Sequence, residues 1–205
     1  MSGLPDPEDV RPLYDRNAAE FHRARVGSEM EAGWVARFAD ALAPGAEVLD
    51  LGCGSGEPVA RLLLDHGLRV TGADFSAAML QIAARHLPGA DWIRADIRTL
   101  DLDRGFDGII AWHSFFHLTV AAQREALPRV LAHLRSGGVL VMTLGVEEGE
   151  ISGHVEGEEV YHASLSEAEY RQILADAGVE VVQFLHDDWS CGGANVLFAR
   201  RGMGD

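Results

Sequence analysis

The chain predicts an α/β fold: a three-layer sandwich on a seven-stranded, mostly parallel sheet, with the last-hairpin strand antiparallel and an N-terminal helical cap. Three observations predict it. From residue 46 onward, short apolar runs alternate with amphipathic stretches of helical period, the pattern of a parallel sheet covered on both faces. A glycine-rich turn joins the first apolar run to the first of these helices. The last two apolar runs are too close together for a crossover helix, so they pair as a hairpin and one of them reverses. With 205 residues, 47% of them hydrophobic and 24% charged, the chain has the size and composition of one globular domain with its own core.

Residues 1–12 hold three prolines and read as a mobile lead-in. Residues 13–43 read as helical. Tyr14, Ala18, Phe21 and Arg25 recur at helical spacing, and a second stretch, Glu29–Leu42, puts Trp34, Val35, Phe38 and Leu42 on one face before Pro44-Gly45 ends it. Residues 1–45 thus form the helical cap segment and 46–205 the main unit, one domain overall. Glu47–Gly52 is a strand. Pro58–His66 is a helix with proline in its first turn and Gly67 past its end. Arg69–Phe75 is a strand, and Ser76 caps the helix Ala77–His86. Strands follow at Asp91–Ile97 and Phe106–Trp112, then a helix near Ala121–Leu134, then the strand Val139–Leu144. Residues 145–164 read as a long Gly- and Glu-rich loop, a candidate substrate lid. Ser166 caps Glu167–Ala177, and the strands Val179–His186 and Ala194–Arg200 close the chain.

The formal net charge is −15, and the 17 basic residues are scattered. That balance opposes a nucleic-acid partner and an anionic membrane, and it suits a soluble protein with a small-molecule substrate. The two cysteines, Cys53 and Cys191, make no CxxC pair, no recognisable metal-ligand set is present, and so no metal is expected. No apolar run approaches the ~18 residues that would span a membrane, and the acidic, proline-rich start is unlike a signal peptide. A cytoplasmic monomer or homodimer is the expectation.

The strongest chemical signal runs from Val48 to Gly56: an apolar strand, glycine at alternate positions, then a helix. Without Cβ atoms the backbone can turn sharply and lie against a ligand. A dinucleotide fingerprint wants G-x-G-x-x-G. Here Gly52, Gly54 and Gly56 give G-x-G-x-G, and Glu57 stands where the last glycine would fall. A carboxylate there repels a pyrophosphate and tolerates a cationic or zwitterionic ligand. Asp74 closes the second strand, where a carboxylate can accept both hydroxyls of a ribose. Capping of the next helix is the competing role, one that Ser76 also fills.

The runs EVLDLGCGSG, VTGADFSAAML, WIRADIRTL, FDGIIAWHSFFHL and LRSGGVLVMTLG resemble the class I S-adenosylmethionine (SAM)-dependent methyltransferases of the small-molecule group. The resemblance covers residues 46–145. The opening YDRNAAEFHRAR and the closing SEAEYRQILADAGVEVV are also similar to that family. It implies that SAM is the cofactor, with S-adenosylhomocysteine as its product. It further implies that Asp50 and the Gly52-Cys53-Gly54 backbone hold the methionine part and that Asp74 binds the ribose. Phe75 and Met79 would pack on the adenosine, Asp96 would accept from the adenine amino group, and Ile97 would lie on its face. Trp112 and His113 would sit near the sulfonium, and Tyr14 would close over the cofactor. His113 and His117 are the candidate general bases, since histidine titrates near neutrality. His154 and Tyr161 are further candidates of the same kind. Tyr161-His162 resembles an aromatic pair placed over the substrate. Two other readings stay open: a nicotinamide-dependent oxidoreductase on a similar sheet, and a catalytically silent SAM-binding protein.

Overall fold

The computed structural model describes residues 4–155 and 157–204. A 3-10 turn, Pro7–Asp9, leads into α1 (Val10–Arg25), followed by α2 (Ala32–Asp40). The alternating part comprises β1 (Glu47–Leu51), α3 (Val59–Asp65), β2 (Arg69–Asp74), α4 (Ala77–His86), β3 (Asp91–Arg94), β4 (Phe106–Ala111), α5 (Val120–Ala132) and β5 (Leu134–Thr143). Then come β6 (Gly149–Val155), β7 (Glu158–Ser164), α6 (Glu167–Asp176), β8 (Val179–Asp188) and β9 (Ala194–Arg201).

Seven strands form one sheet in the order β3-β2-β1-β4-β5-β9-β8. β1 to β5 pair in parallel, and β9 is antiparallel to both β5 and β8. The expected reversal therefore falls on β9. The strands are apolar on both faces because helices cover both. Leu49, Ile109, Leu140 and Leu197 pack with Leu127 of α5 and Leu174 of α6, while Val48, Val70, Ile110 and Val141 pack with Phe38 of α2 and Leu63 of α3. Each such side chain contributes about 1.5–3 kcal/mol by leaving water. The chain leaves β1 toward one edge of the sheet and β4 toward the other. Their carboxyl ends therefore frame the crevice of a topological switch point.

Four expectations need correction. Residues 145–164 are mostly not a loop: β6 and β7 pair antiparallel from Gly149↔Ser164 to Val155↔Glu158, as a separate two-stranded sheet. The backbones of the two strands satisfy each other, a pairing that a charge-rich composition hides. The lead-in is ordered from Pro7, because Asp6 caps the 3-10 turn through the Glu8 amide and Val10 and Leu13 are buried. Pro12 lies in the first turn of α1, where a missing N–H costs nothing. Residues 1–3 of that lead-in lie outside the described residues. The third strand stops at Arg94 because Asp96 accepts from the Arg98 amide and starts a 3-10 turn. The fifth strand instead begins five residues early, at Leu134, which pairs with Phe106.

A third apolar cluster ties the cap to the hairpin. Val10 and Leu13 of α1 meet Val160, Tyr161 and Ala163 of β7. Asn17 donates to Glu158 at 2.7 Å, and Arg16 pairs with the same carboxylate.

Candidate active site

A cavity of about 550 Å³ lies beyond the carboxyl ends of β1, β2 and β4, roofed by α1 and the β6–β7 hairpin. Its floor is the glycine turn. Gly52 has φ +73°, and a Cβ there would fall 2.2 Å from the Ser114 Cβ, so no other residue fits. Ser114 Oγ donates to the Leu51 carbonyl at 2.7 Å and clasps the turn to the end of β4.

Asp74, buried at the end of β2, accepts from the Gly54 amide at 2.9 Å and the Ser76 amide at 2.8 Å. Ser76 itself caps α4 through the Met79 amide. The carboxylate of Asp74 thus braces the glycine turn and keeps lone pairs for a ligand. Burial pushes its pKa up to about 6 against the pull of those two amides. Asp50 on β1 is buried too, and burial, with the nearby Asp74 charge second, pushes it up to about 8. Glu57, where a third fingerprint glycine would stand, lines the cavity and pairs with Arg61 at 3.0 Å.

Phe75, Met79, Asp96 and Ile97 all line the cavity, as do Gly52, Cys53 and Gly54. Asp96 is shared with Arg98 at 2.7 Å. Tyr14, Trp112, His113, Phe116, His117, His154 and His162 line the cavity as well. His113 holds φ +51°, a conformation uncommon outside glycine, and its amide donates to Thr143 Oγ1 at 2.7 Å. Burial lowers the pKa of both His113 and His117 to about 4, so both imidazoles are neutral at pH 7. His117 Nδ1 lies 3.1 Å from the Tyr161 carbonyl and Nε2 lies 2.9 Å from the Tyr14 hydroxyl. The Phe116 ring stands 4.6 Å from that of His162 and 4.9 Å from that of His117.

One residue of the pair at 161–162 is not brought to this cavity. Tyr161 packs under α1 with Val10 and Leu13 and offers the site only its carbonyl oxygen. Neighbours on a strand face opposite ways, so His162 points in where Tyr161 points out. Sequence reasoning missed Phe116, Ser114, Thr143 and the Arg25–Glu31 pair, in which Glu31 is fully buried and also accepts from Ser28 Oγ at 3.0 Å. Ser114 and Thr143 carry no local signal, because each acquires its place through a partner far along the chain, Leu51 and His113 respectively.

Three buried polar atoms on cavity-lining residues have no partner among the described residues: Asp50 Oδ2, Trp112 Nε1 and His162 Nε2. Buried polar groups are nearly always bonded, so each of these is a candidate contact for a bound molecule. Acceptors at Asp50 and Asp74 suit a ligand with a cationic ammonium and a ribose, which SAM has. Among the described residues no group of three or more His, Cys, Asp or Glu is placed to hold a metal, and no helix is long and apolar enough to cross a membrane.

The methyltransferase domain family matches residues 48–138. The chain is 34% identical over 137 residues to a trans-aconitate 2-methyltransferase from Paracidovorax citrulli, covering 66% of this chain and 51% of that one. It is 31% identical over 144 residues to a demethylmenaquinone methyltransferase from Renibacterium salmoninarum, covering 66% and 58%. The chain thus spans little more than half the length of these relatives. The SAM-bound amino pentose methyltransferase from Micromonospora echinaspora superposes with a TM-score of 0.71 at 23% identity, over 98% of this chain and 99% of that one. Residues 48–138 match the methyltransferase domain family, and the seven-stranded sheet is the fold of the SAM-bound methyltransferase just named.

Proposed function

We propose that this protein transfers a methyl group from SAM to a small-molecule acceptor. The observation that carries this reading is the set of unpartnered buried atoms, Asp50 Oδ2, Trp112 Nε1 and His162 Nε2, around one cavity at the switch point. Asp50 and the Gly52–Gly54 backbone would hold the methionine part, Asp74 the ribose, and Asp96 with Ile97 the adenine. When bound, SAM supplies an electrophilic methyl on a positive sulfur, whose bonding pair leaves with the sulfur. The chain's own task is then to bury both reactants, align the acceptor behind the methyl and manage its proton.

The volume of about 550 Å³ is ordinary for a small-molecule pocket. The relatives named above also act on small molecules, which favours the same class here. His162, bordered by Phe116 and His117, is the natural contact for the acceptor. The β6–β7 hairpin that carries it serves as the lid. The nicotinamide reading has no such support, since Glu57 stands where the third fingerprint glycine would fall. We place the protein in the cytoplasm, as a monomer or homodimer, on its acidic charge and two free buried cysteines. A thermal-shift panel tests the cofactor: SAM and S-adenosylhomocysteine should raise the melting temperature, and NAD and NADP should not. Stabilisation by a nicotinamide cofactor, or by none of the four, would sink the proposal.

A further inference from the structure

We propose that Tyr14 is the residue that receives the acceptor's proton, that His117 stands behind it as a positioning residue, and that the acceptor therefore presents a hydroxyl. This rests on the methyl-transfer reading. The argument begins with hydrogen-bond directions. A carbonyl oxygen can only accept, so the 3.1 Å contact between His117 Nδ1 and the Tyr161 carbonyl requires the proton on Nδ1. A neutral imidazole carries one N–H, so Nε2 is then an acceptor. The Tyr14 hydroxyl, 2.9 Å away, must be its donor. Both nitrogens of His117 are thereby engaged, and neither faces an acceptor molecule. The tyrosine oxygen keeps its lone pairs, Tyr14 lines the cavity, and His117 is the hydroxyl's partner among the described residues.

The three groups come from three separate elements. Tyr14 is on α1, His117 is in the 3-10 turn after β4, and the Tyr161 carbonyl is on β7. The relay exists only when cap and hairpin are docked on the sheet, so acceptor binding and proton handling are assembled together.

The proton moves as follows. The acceptor's O–H donates to Tyr14 Oη. As its oxygen forms the new bond to carbon, that proton passes to Tyr14 Oη and the tyrosine's own proton passes to His117 Nε2. The product is an ether, a neutral tyrosine and an imidazolium whose Nδ1–H still rests on the Tyr161 carbonyl. Burial makes His117 a weak base, with a pKa of about 4. A hydroxyl that has gained a carbon is a far stronger acid than that imidazolium, so the transfer runs downhill. An alkylated amine is a far weaker acid and would keep its proton. A carboxylate brings no proton at all. This asymmetry selects the hydroxyl.

Nitrogen-15 histidine spectra of the ligand-free protein test the relay without any acceptor. His117 should be the Nδ1–H tautomer, and Tyr14→Phe, which keeps the ring, should shift its Nε2 resonance and raise its pKa, because a donor to the neutral form is lost. An Nε2–H tautomer, or a resonance indifferent to Tyr14→Phe, overturns the proposal. The second measurement is S-adenosylhomocysteine release with catechol, benzylamine and trans-aconitate as hydroxyl, amine and carboxylate probes. Tyr14→Phe should lower the catechol rate by about a hundredfold. Turnover of the amine or the acid at a rate that Tyr14→Phe does not alter overturns it. A wild-type protein that fails to bind SAM would instead remove the methyl-transfer reading, a separate result.

Discussion

At the scale of single residues, the site is defined by carboxylates that folding makes uncomfortable. Asp74 holds two backbone amides and has lone pairs left for a ribose. Asp74→Ala orphans those amides and removes the ribose acceptor, so SAM affinity should weaken by about 1 kcal/mol or more, roughly tenfold in Kd. An unchanged Kd by calorimetry would take Asp74 out of the cofactor site. Asp50 titrates near 3.8 when unfolded and at about 8 when folded. Between those values the folded state holds a proton that the unfolded state has lost, so this group makes stability fall as pH rises from about 4 to about 8. His113 and His117 act in the opposite sense. Their lowered pKa values favour the fold above pH 6.5, and that contribution is lost as pH falls toward about 4. Asp50→Asn isolates the first effect: it should raise the melting temperature at pH 8, leave it unchanged at pH 4, and weaken SAM binding. A variant that melts lower than wild type at pH 8 would contradict the buried-charge argument.

At the scale of elements, the hairpin is the part that joins binding to closure. Gly153 on β6 faces His162 on β7, and a Cβ there would lie 2.3 Å from His162 Cε1. Its backbone conformation is ordinary, so Gly153→Ala costs little in strain, and its effect falls on the imidazole. The expected result is a higher KM for the acceptor with SAM affinity retained. An unaltered KM would show that His162 does not touch the acceptor. β7 is held by the apolar cluster with Val10 and Leu13 and by the His117–Tyr161 bond, so the hairpin's freedom lies in β6, whose residues are mostly exposed. The β6 amides should therefore exchange readily in the free protein and slowly once SAM and acceptor are bound. Equal protection in both states would argue against a lid.

At the scale of the whole molecule, the charge of −15 opposes compactness. Added salt shortens the Debye length to about 10 Å at 0.1 M, so the melting temperature should rise between low and physiological ionic strength. A fall would mean that pairs such as Arg135 with Glu47 and Asp107 outweigh the net repulsion. Much of this molecule is legible in its chain. Strand–helix alternation, apolar runs without period and a helix-free final link determined the sheet, its order of elements and the reversal of one closing strand. The glycine turn and the carboxylates at 50, 74 and 96, which line one cavity, were legible too, because backbone shape and charge at strand ends are local properties. The hairpin escaped such a reading, since pairing between β6 and β7 replaces the periodicity that a core-facing strand would show. The acceptor end escaped it too. His117 and Tyr14 stand 103 residues apart, and Tyr161 reaches the site through its carbonyl, a group every residue has. Which nitrogen carries a proton, which side chain turns inward and which polar atom goes unpaired are fixed by distances between remote segments, and only the folded chain sets those.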